Sequence, residues 1–299
     1  MDWKSSRIDA LLEQALVEDQ AAADSTTNVT IDADLRGAAS IIAREPLVVA
    51  GLGAVPRLFE IFARLDRRPQ AQTRFEVVSH PEIFDGVKVR AGQVLAVIRH
   101  NARVLLSCER VLLNLLQHMS GIATLTRQYV DAIQGTKARV LDTRKTVPGL
   151  RMLEKYAVLC GGGTNHRLDL ASGILIKNNH ISLGGGLTNA LKNSLARRQA
   201  GQRVQVEVRN RRELEEALAG GAEAILLDNM TPAQVKESVD RIKLEKTGQE
   251  NRWIPTEASG GIVLDNIRAY AETGVEFISV GALTHSARAS NISMSISTD

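Results

Sequence analysis

Residues 204–228 read VQVEVRNRRELEEALAGGAEAILLD, and this stretch decides the fold class. Its two ends, 204–208 and 224–227, are short apolar runs that predict β-strands. Between them, residues 212–219 carry charged and apolar side chains at helical spacing. A strand, a helix and a second strand in such close succession predict two parallel strands joined by a crossover helix.

The same unit recurs along the second half of the chain. Further apolar strands are predicted at residues 138–141, 173–176, 253–256 and 277–280, and further helices at 187–198, 232–243 and 264–272. Strands that alternate with helices predict a parallel sheet, and units of roughly 20–35 residues are typical of a (β/α) barrel. We therefore expect an α/β fold with a barrel in this half.

The first half has a different pattern, in which strands are grouped ahead of helices. An amphipathic helix is predicted over residues 8–16, and the sequence DSTTN at 24–28 ends it with turn and capping residues. Strands follow at 39–43, 47–50, 75–79 and 94–99, with helices at 55–65, 107–118 and 124–133. This grouping is typical of an α+β arrangement.

Composition excludes several classes of protein. The 299 residues include 37 basic and 34 acidic side chains, a near balance that argues against nucleic-acid binding through bulk charge. Two cysteines cannot build a disulfide framework, and a reduced, cytoplasmic setting is expected. The N-terminal residues do not resemble a signal peptide, and the most apolar stretch, 46–56, is too short to cross a bilayer.

Polar or ionisable residues follow every predicted strand of the second half. The segments are DTRKT at 142–146, KNNH at 177–180, Glu207 within its strand, DN at 228–229, EASGG at 257–261 and GALTHS at 281–286. In (β/α) barrels the carboxyl ends of the strands form the active-site face. We therefore expect these side chains to line one cavity.

Three features of this set indicate an anionic, phosphate-bearing substrate. Ser259, Gly260 and Gly261 precede a predicted helix, and glycine backbone together with a helix N-terminus suits a phosphate group. Carboxylates on neighbouring strands suit Mg²⁺ bound together with substrate phosphate oxygens; they are Glu207, Asp228 and Glu257. Several cations close in sequence require an anion to offset their charge; they are Arg144, Lys145, His166, Arg167 and Lys177.

The run at 142–167, DTRKTVPGLRMLEKYAVLCGGGTNHR, closely resembles the quinolinate phosphoribosyltransferase family. LIKNNHI at 175–181, ILLDNM at 225–230, EASGGI at 257–262 and VGALTHS at 280–286 match the family in the same order. The resemblance implies an N-terminal open α/β sandwich domain followed by a partly open barrel of about seven strands. It predicts domains at 1–115, joined by 288–299, and at 116–287.

The resemblance also implies the reaction and its participants. Quinolinate and phosphoribosyl pyrophosphate (PRPP) would give nicotinate mononucleotide, pyrophosphate and CO₂, with Mg²⁺ as cofactor, in NAD biosynthesis. The family is at least dimeric, and Arg110 would enter the site of the neighbouring subunit. Membrane and nucleic-acid partners are not expected.

Site roles follow residue by residue from the matched motifs. Quinolinate would contact Arg110, Thr143, Arg144, Lys145, His166, Arg167 and Lys177. PRPP would contact Lys145, Lys177, Glu207, Asp228, Asn229, Ser259, Gly260, Gly261, Gly281 and His285. The catalytic residues would be Lys145, Glu207 and Asp228, and the last two would lie near the metal.

The sequence departs from the family pattern at two positions. A Glu-x-Glu pair is expected on the third strand, where Gln205 precedes Glu207, and an acidic residue is expected where Asn178 stands. The departures leave the local charge balance open. His118 is interpreted as a structural histidine.

Other functions remain open on the residues alone. They are a related transferase that acts on nicotinate, a molybdenum-associated homologue, a Schiff-base aldolase that uses Lys145 or Lys177, and a phosphate-sensing barrel.

Overall fold

The computed structural model of the chain describes residues 1–66, 73–248 and 253–298. The chain divides into two units. The first consists of residues 1–125, 148–162 and the C-terminal segment from 287, and the second consists of residues 126–147 and 163–286.

The first unit contains a four-stranded antiparallel sheet in the order β12-β1-β5-β3, and a separate antiparallel pair, β2-β4. The strands are β1 (Arg36–Ala43), β2 (Leu47–Val48), β3 (Glu76–Val78), β4 (Lys88–Val89), β5 (Val94–Asn101) and β12 (Ile292–Thr298). The C-terminal strand thus pairs with β1, which lies near the start of the chain.

Helices supply the other layer of this unit. They are α1 (Ser6–Glu18), a 3₁₀ turn (Ala21–Ala23), α2 (Ser25–Thr30), α3 (Ala54–Asp66), the long α4 (Ala102–Ala132), which continues into the second unit, and α5 (Arg151–Cys160). Strand β1 alternates buried and less buried residues, as a sheet with one covered face requires. On α3, Phe59 is fully buried, and its ring lies 5.5 Å from the His100 ring of β5.

The second unit is built on a parallel sheet in the order β6-β11-β10-β9-β8-β7. Its strands are β6 (Arg139–Leu141), β7 (Ile174–Ile176), β8 (Val204–Val208), β9 (Ala224–Asp228), β10 (Thr256–Ser259) and β11 (Phe277–Ser279). Thr164 adds a single parallel bridge to Leu141, at the place that a seventh strand would take. The predicted α/β class and partly open barrel are confirmed.

Helices connect these strands in the described residues. They are α6 (Asn178–Leu183), α7 (Leu187–Arg197), α8 (Arg211–Ala219), α9 (Pro232–Gly248), α10 (Ile267–Ala271) and α11 (Ala282–His285). The apolar faces of the strands pack outward, as Val204, Val206 and Val208 show by being fully buried. The alternate positions, Gln205 and Glu207, therefore point into the barrel.

Five predicted elements differ from the structure. The helices expected at 107–118 and 124–133 are one helix, α4, because Gly121 permits a close approach of chains rather than a break. A Cβ at Gly121 would lie 2.1 Å from the carbonyl oxygen of Arg288. The strand expected at 253–256 begins only at Thr256, and the helix expected at 264–272 is restricted to Ile267–Ala271.

The fifth element comprises residues 24–28, which were expected to form only a turn. They begin α2 instead, because the Asp24 carboxylate accepts the Thr27 backbone N–H at 3.0 Å and caps the helix.

Candidate active site

A cavity of about 610 Å³ opens at the carboxyl ends of the barrel strands. Every residue that the matched motifs assign to substrate binding or catalysis lines it, except Arg110, although some neighbours in the strand-end segments do not. The predicted residues in its wall are Thr143, Arg144, Lys145, His166, Arg167, Lys177, Glu207, Asp228, Asn229, Ser259, Gly260, Gly261, Gly281 and His285. The expected convergence of the strand ends therefore occurs.

Strand register explains how side chains from distant parts of the sequence meet. Leu226 of β9 pairs with Glu207 on one side and with Glu257 on the other, so these three side chains form one layer inside the barrel. Asp228 and Ser259 pair one step closer to the mouth of the barrel. The carboxylates therefore lie at two depths on adjacent strands.

Two arginines form a cationic wall. The Arg144 Nε is buried and has no hydrogen-bond partner among the described residues. Burial and the neighbouring Arg144 charge hold the pKa of the Arg167 guanidinium below its usual value, although one of its nitrogens donates to the Gly173 carbonyl at 3.0 Å. An anion between the two guanidinium groups would relieve both the repulsion and the missing hydrogen bond.

Lys145 is held by its backbone, which leaves its side chain directed into the cavity. The Thr284 hydroxyl donates to the Lys145 carbonyl at 2.8 Å, and the Lys145 N–H donates to the Thr143 hydroxyl at 3.0 Å. Gly281 leaves room for the lysine, because a Cβ there would lie 3.2 Å from Lys145 Cδ and 3.0 Å from His285 Nε2. The β6 and β11 loops thus place Lys145 and His285 next to each other.

The opposite wall is acidic. Burial, and then the charge of nearby Asp228, raise the pKa of Glu207 above its ordinary value, while Lys177 opposes the shift. Lys177 Nζ lies 3.7 Å from Glu207 Oε2, and its side chain is 50% exposed. Such an exposed lysine lacks the desolvated surroundings that a Schiff-base nucleophile requires.

The loop after β10 has the backbone geometry of an anion-binding turn. Asn229 adopts a left-handed conformation with φ of 53°, and its N–H donates to the Ser259 carbonyl at 2.8 Å. Gly260 has φ of 94°, and a Cβ there would come within 2.2 Å of the Asn229 side chain. Because glycine is required at this close approach, the two loops present bare backbone to the cavity.

Three interacting side chains form a cluster inside the barrel, the Glu257 cluster, which consists of His166, Glu257 and Gln205. The sequence did not predict their mutual contacts. Glu257 Oε2 lies 3.2 Å from His166 Nε2 and accepts a 2.8 Å hydrogen bond from Gln205 Nε2. The position at which the sequence departs from its family pattern therefore supplies a donor to Glu257. Asn178, the other departure, offers its backbone N–H to Glu207.

Two residues discussed from the sequence, one assigned to the site and one to a structural role, lie in the first unit. Arg110 is exposed on α4. His118, also on α4, lies with Nε2 at 2.9 Å from the fully buried Glu154 Oε1. Neither residue lines the barrel cavity.

Comparison with known proteins defines the family. The sequence model of the quinolinate phosphoribosyl transferase N-terminal domain matches residues 24–120, and that of the C-terminal domain matches residues 122–295. The chain belongs to the quinolinate phosphoribosyltransferase family.

Members of this family from several organisms resemble the chain over nearly its full length. A nicotinate-nucleotide pyrophosphorylase (carboxylating) of Mycobacterium leprae is 41% identical over 289 residues, which cover 95% of each chain. A probable nicotinate-nucleotide pyrophosphorylase (carboxylating) of Bacillus subtilis is 41% identical over 96% of this chain and 92% of its own. The crystal structure of NadC from Streptococcus pyogenes superposes with a TM-score of 0.89 at 35% identity, covering 100% of this chain and 99% of that one.

A more distant likeness concerns the fold alone. Human nicotinic acid phosphoribosyltransferase has a TM-score of 0.60 at 14% identity over 95% of this chain and 73% of its own.

No helix in the described part of this quinolinate phosphoribosyltransferase family member is long and apolar enough to cross a membrane.

Proposed function

We propose that this protein is a quinolinate phosphoribosyltransferase, a type II phosphoribosyltransferase of de novo NAD biosynthesis. It transfers the phosphoribosyl group of PRPP to quinolinate and releases CO₂, giving nicotinate mononucleotide and pyrophosphate. The observation that carries the proposal is the single cavity that joins a cationic wall to two carboxylates and a glycine-rich loop. Family membership supports the same reaction.

Quinolinate binds against the cationic wall. Its two carboxylates match the guanidinium groups of Arg144 and Arg167, whose mutual repulsion they offset. Lys145 and Lys177 extend this wall toward the sugar phosphate, so that each contacts both substrates. A substrate with one carboxylate, such as nicotinate, would leave part of this charge without a partner.

PRPP binds along the loops that follow β9, β10 and β11. Backbone N–H groups at Gly260, Gly261 and Gly281 suit its phosphate oxygens, and the side chains of Asn229, Ser259 and His285 add donors. The ribose then lies beside the acidic wall. This arrangement holds C1 of the ribose close to the pyridine nitrogen of quinolinate.

Charge development explains why carboxylates stand next to the phosphate loops. As pyrophosphate departs, positive charge grows at C1, and the ionised carboxylates of Glu207 and Asp228 stabilise it. The pyridine nitrogen attacks C1 and becomes a pyridinium, which withdraws electrons from the adjacent 2-carboxylate. CO₂ leaves, and the resulting carbanion takes a proton from Lys145 or from water.

Magnesium is part of the proposal, as an ion that enters with PRPP. Glu207 and Asp228 fit it, because a cation would offset the charge of Asp228, which adds to burial in raising the pKa of Glu207. Among the described residues no cluster of three or more histidine, cysteine or acidic side chains forms a metal site, so substrate phosphates would supply most ligands. When bound, the ion neutralises the departing pyrophosphate.

A homodimer or larger homo-oligomer completes the proposal. Arg110 is exposed on α4, and we assign it to the quinolinate site of the neighbouring subunit. A cytoplasmic location agrees with a sequence that has only two cysteines.

The decisive experiment mixes purified protein with quinolinate, PRPP and Mg²⁺ and follows nicotinate mononucleotide and CO₂ together. We expect equal amounts of both products and no mononucleotide when nicotinate replaces quinolinate. Turnover of nicotinate without CO₂ would favour the related transferase instead, and tight binding of PRPP without any turnover would favour a phosphate sensor.

Complementation tests the intersubunit arginine. Arg110→Ala and Glu207→Ala chains are each expected to be inactive, whereas a mixture exchanged through mild denaturation should regain activity. A mixed dimer has one site with an intact barrel and an intact partner arginine. Failure to regain activity, with mixed dimers detected by mass, would exclude a role for Arg110 across the interface.

A further inference from the structure

Glu257 is the central residue of the Glu257 cluster, and it has no role in the proposed reaction steps. Its side chain is only 5% exposed, and two of its hydrogen-bond partners, His166 and Gln205, contact the same oxygen, Oε2, while the Ser279 hydroxyl is a further donor. The other oxygen, Oε1, is buried without a hydrogen-bond partner in the described residues. Burying a carboxylate costs free energy unless hydrogen bonds or opposite charges offset the loss of hydration.

The hydrogen bonds of His166 determine which ring nitrogen carries the proton. The backbone N–H of Arg167 donates to His166 Nδ1 at 2.7 Å, so Nδ1 is an acceptor and holds no hydrogen. The ring hydrogen therefore resides on Nε2, the atom that faces Glu257 at 3.2 Å. This geometry selects one neutral tautomer of the imidazole.

The same contacts connect Glu257 to the quinolinate wall. The His166 ring anchors the backbone of Arg167, whose guanidinium lines the cavity. The backbone N–H of His166 is in turn held by the fully buried Asp142 carboxylate at 2.8 Å. A rotation of the His166 ring would therefore release one of the bonds that hold the start of Arg167.

Gln205 and His166 together keep the carboxylate charged. Burial alone would raise the pKa of Glu257, but the hydrogen bond and electrostatic attraction of His166, with the hydrogen bonds from Gln205 and Ser279, more than offset it and leave that pKa below its ordinary value. The other ionisable side chains that line this cavity are Arg144, Lys145, Arg167, Lys177, Glu207, Asp228 and His285. Gln205 carries no charge, and no change of pH removes its hydrogen bond to Glu257.

We propose that Glu257 is a positioning residue that locks His166 in the Nε2–H tautomer, with Gln205 as its permanent second donor. Through this lock Glu257 orients the His166 ring and the start of Arg167, and so sets the affinity for quinolinate. The proposal rests on the proposed transferase function. Its distinctive consequence is that Glu257 affects quinolinate and not PRPP, and does so only through His166.

A double-mutant cycle tests that consequence. Glu257→Gln should raise the KM for quinolinate about tenfold, the usual effect of weakening a charged hydrogen bond, and leave the KM for PRPP within about twofold. In a His166→Ala background the same change should cost less than about twofold. An equal cost in both backgrounds, or a change confined to the KM for PRPP, would overturn the proposal.

Circular dichroism would reveal misfolding of Glu257→Gln. A second variant tests the same contacts in that case. Gln205→Leu removes one donor and keeps the carboxylate, so a smaller rise in the same KM is expected, about threefold. Gln199→Leu is the matched control, because Gln199 is exposed on the loop that precedes β8. If the KM for quinolinate is the same in Gln205→Leu and in this control, the hydrogen bond from Gln205 does not contribute to the positioning role of Glu257.

Nuclear magnetic resonance of protein carrying ¹⁵N-labelled histidine reads the tautomer without any turnover. The chain has six histidines, and the signals that vanish in His166→Ala identify the ring in question. We expect Nε2 protonated and Nδ1 unprotonated in the unsubstituted protein, and a mixture in Glu257→Gln. An imidazolium, or a hydrogen on Nδ1, at neutral pH would refute the lock. A protein that fails to convert quinolinate but shows the expected tautomer would refute only the function.

Discussion

Two histidine–glutamate pairs with a buried carboxylate occur in different units of this protein, and their surroundings differ. His118 and Glu154 meet at 2.9 Å in the first unit, and His166 and Glu257 meet at 3.2 Å in the barrel. The barrel pair lines a cavity beside arginines, and its carboxylate has a second donor in Gln205. The close pairing of an imidazole with a carboxylate therefore does not by itself indicate a role in catalysis.

The comparison gives an interpretation of each pair. In the cavity that His166 lines, the buried Arg144 Nε has no hydrogen-bond partner among the described residues. A substrate can supply the missing charge there, whereas the His118 pair connects two helices of one unit, α4 and α5. We expect substitutions at the barrel end to change kinetics and substitutions at the other pair to change stability.

The largest expected effect is at the two walls of the cavity. Glu207→Ala and Lys145→Ala should each lower kcat by about a hundredfold or more, because each removes charge stabilisation at the reacting atoms. Circular dichroism and thermal melting should remain those of the unsubstituted protein. The controls are Glu237→Ala and Lys192→Ala, at exposed positions on α9 and α7. Near-normal turnover in either wall variant would remove that residue from the mechanism.

A glycine substitution is expected to produce the next largest effect. Gly260→Ala should lower kcat/KM for PRPP about tenfold to a hundredfold, because its Cβ would collide with the Asn229 side chain and displace the phosphate loop. Gly201→Ala is the control, since Gly201 also has a positive φ of 83° but nothing within 4 Å of the added Cβ. Equal kinetics in the two variants would mean that the loop does not bind phosphate.

Sequence patterns could predict the strand ends but not the contacts between them. Alternation in VQVEV predicts that Gln205 and Glu207 face one side, because that periodicity is local. The bond from Gln205 to Glu257 joins residues 52 positions apart and depends on the order of strands β8, β9 and β10. No local pattern carries that information.

Tertiary contacts also explain why α4 was predicted as two helices. Gly121 resembles a helix break in the sequence, yet it lies where the Arg288 backbone passes close to the helix. The matched family motifs predicted the membership of the cavity wall better than periodicity predicted element boundaries. The motif residues lie at strand ends that converge on one cavity, whereas boundaries depend on capping and packing of each helix.

The pH dependence of kcat/KM for PRPP tests the role of the acidic wall. Since burial and Asp228 raise the pKa of Glu207, the ionised form needed for catalysis is lost as pH falls through that raised value, above the ordinary 4.5. Asp228→Asn removes one cause of the rise and should move the acid limb of kcat/KM for PRPP to lower pH. Lys177→Gln removes the opposing cation and should move it to higher pH.

These two variants control each other, because each is expected to lower the plateau while the limbs move in opposite directions. The measurement is a pH profile of kcat/KM for PRPP, which reports groups of the free enzyme. Limbs that move together, or not at all, would show that Glu207 does not set the acid limb.

The smallest kinetic effect is expected at the His118 pair. His118→Ala removes the imidazole partner of the fully buried Glu154 and should lower the free energy of unfolding by about 1–3 kcal/mol. The KM for quinolinate and kcat should stay within about twofold of the unsubstituted values. Urea denaturation and steady-state kinetics on the same preparations measure both quantities.

The control for this variant is a third histidine–glutamate pair, which is exposed. His80 and Glu82 lie 3.9 Å apart with side chains 68% and 87% exposed, so His80→Ala should change neither stability nor kinetics. If His118→Ala instead raised the KM for quinolinate and spared stability, the distinction between the two buried pairs would fail. In that case neither burial of the carboxylate nor position beside the cavity would predict what a pair contributes.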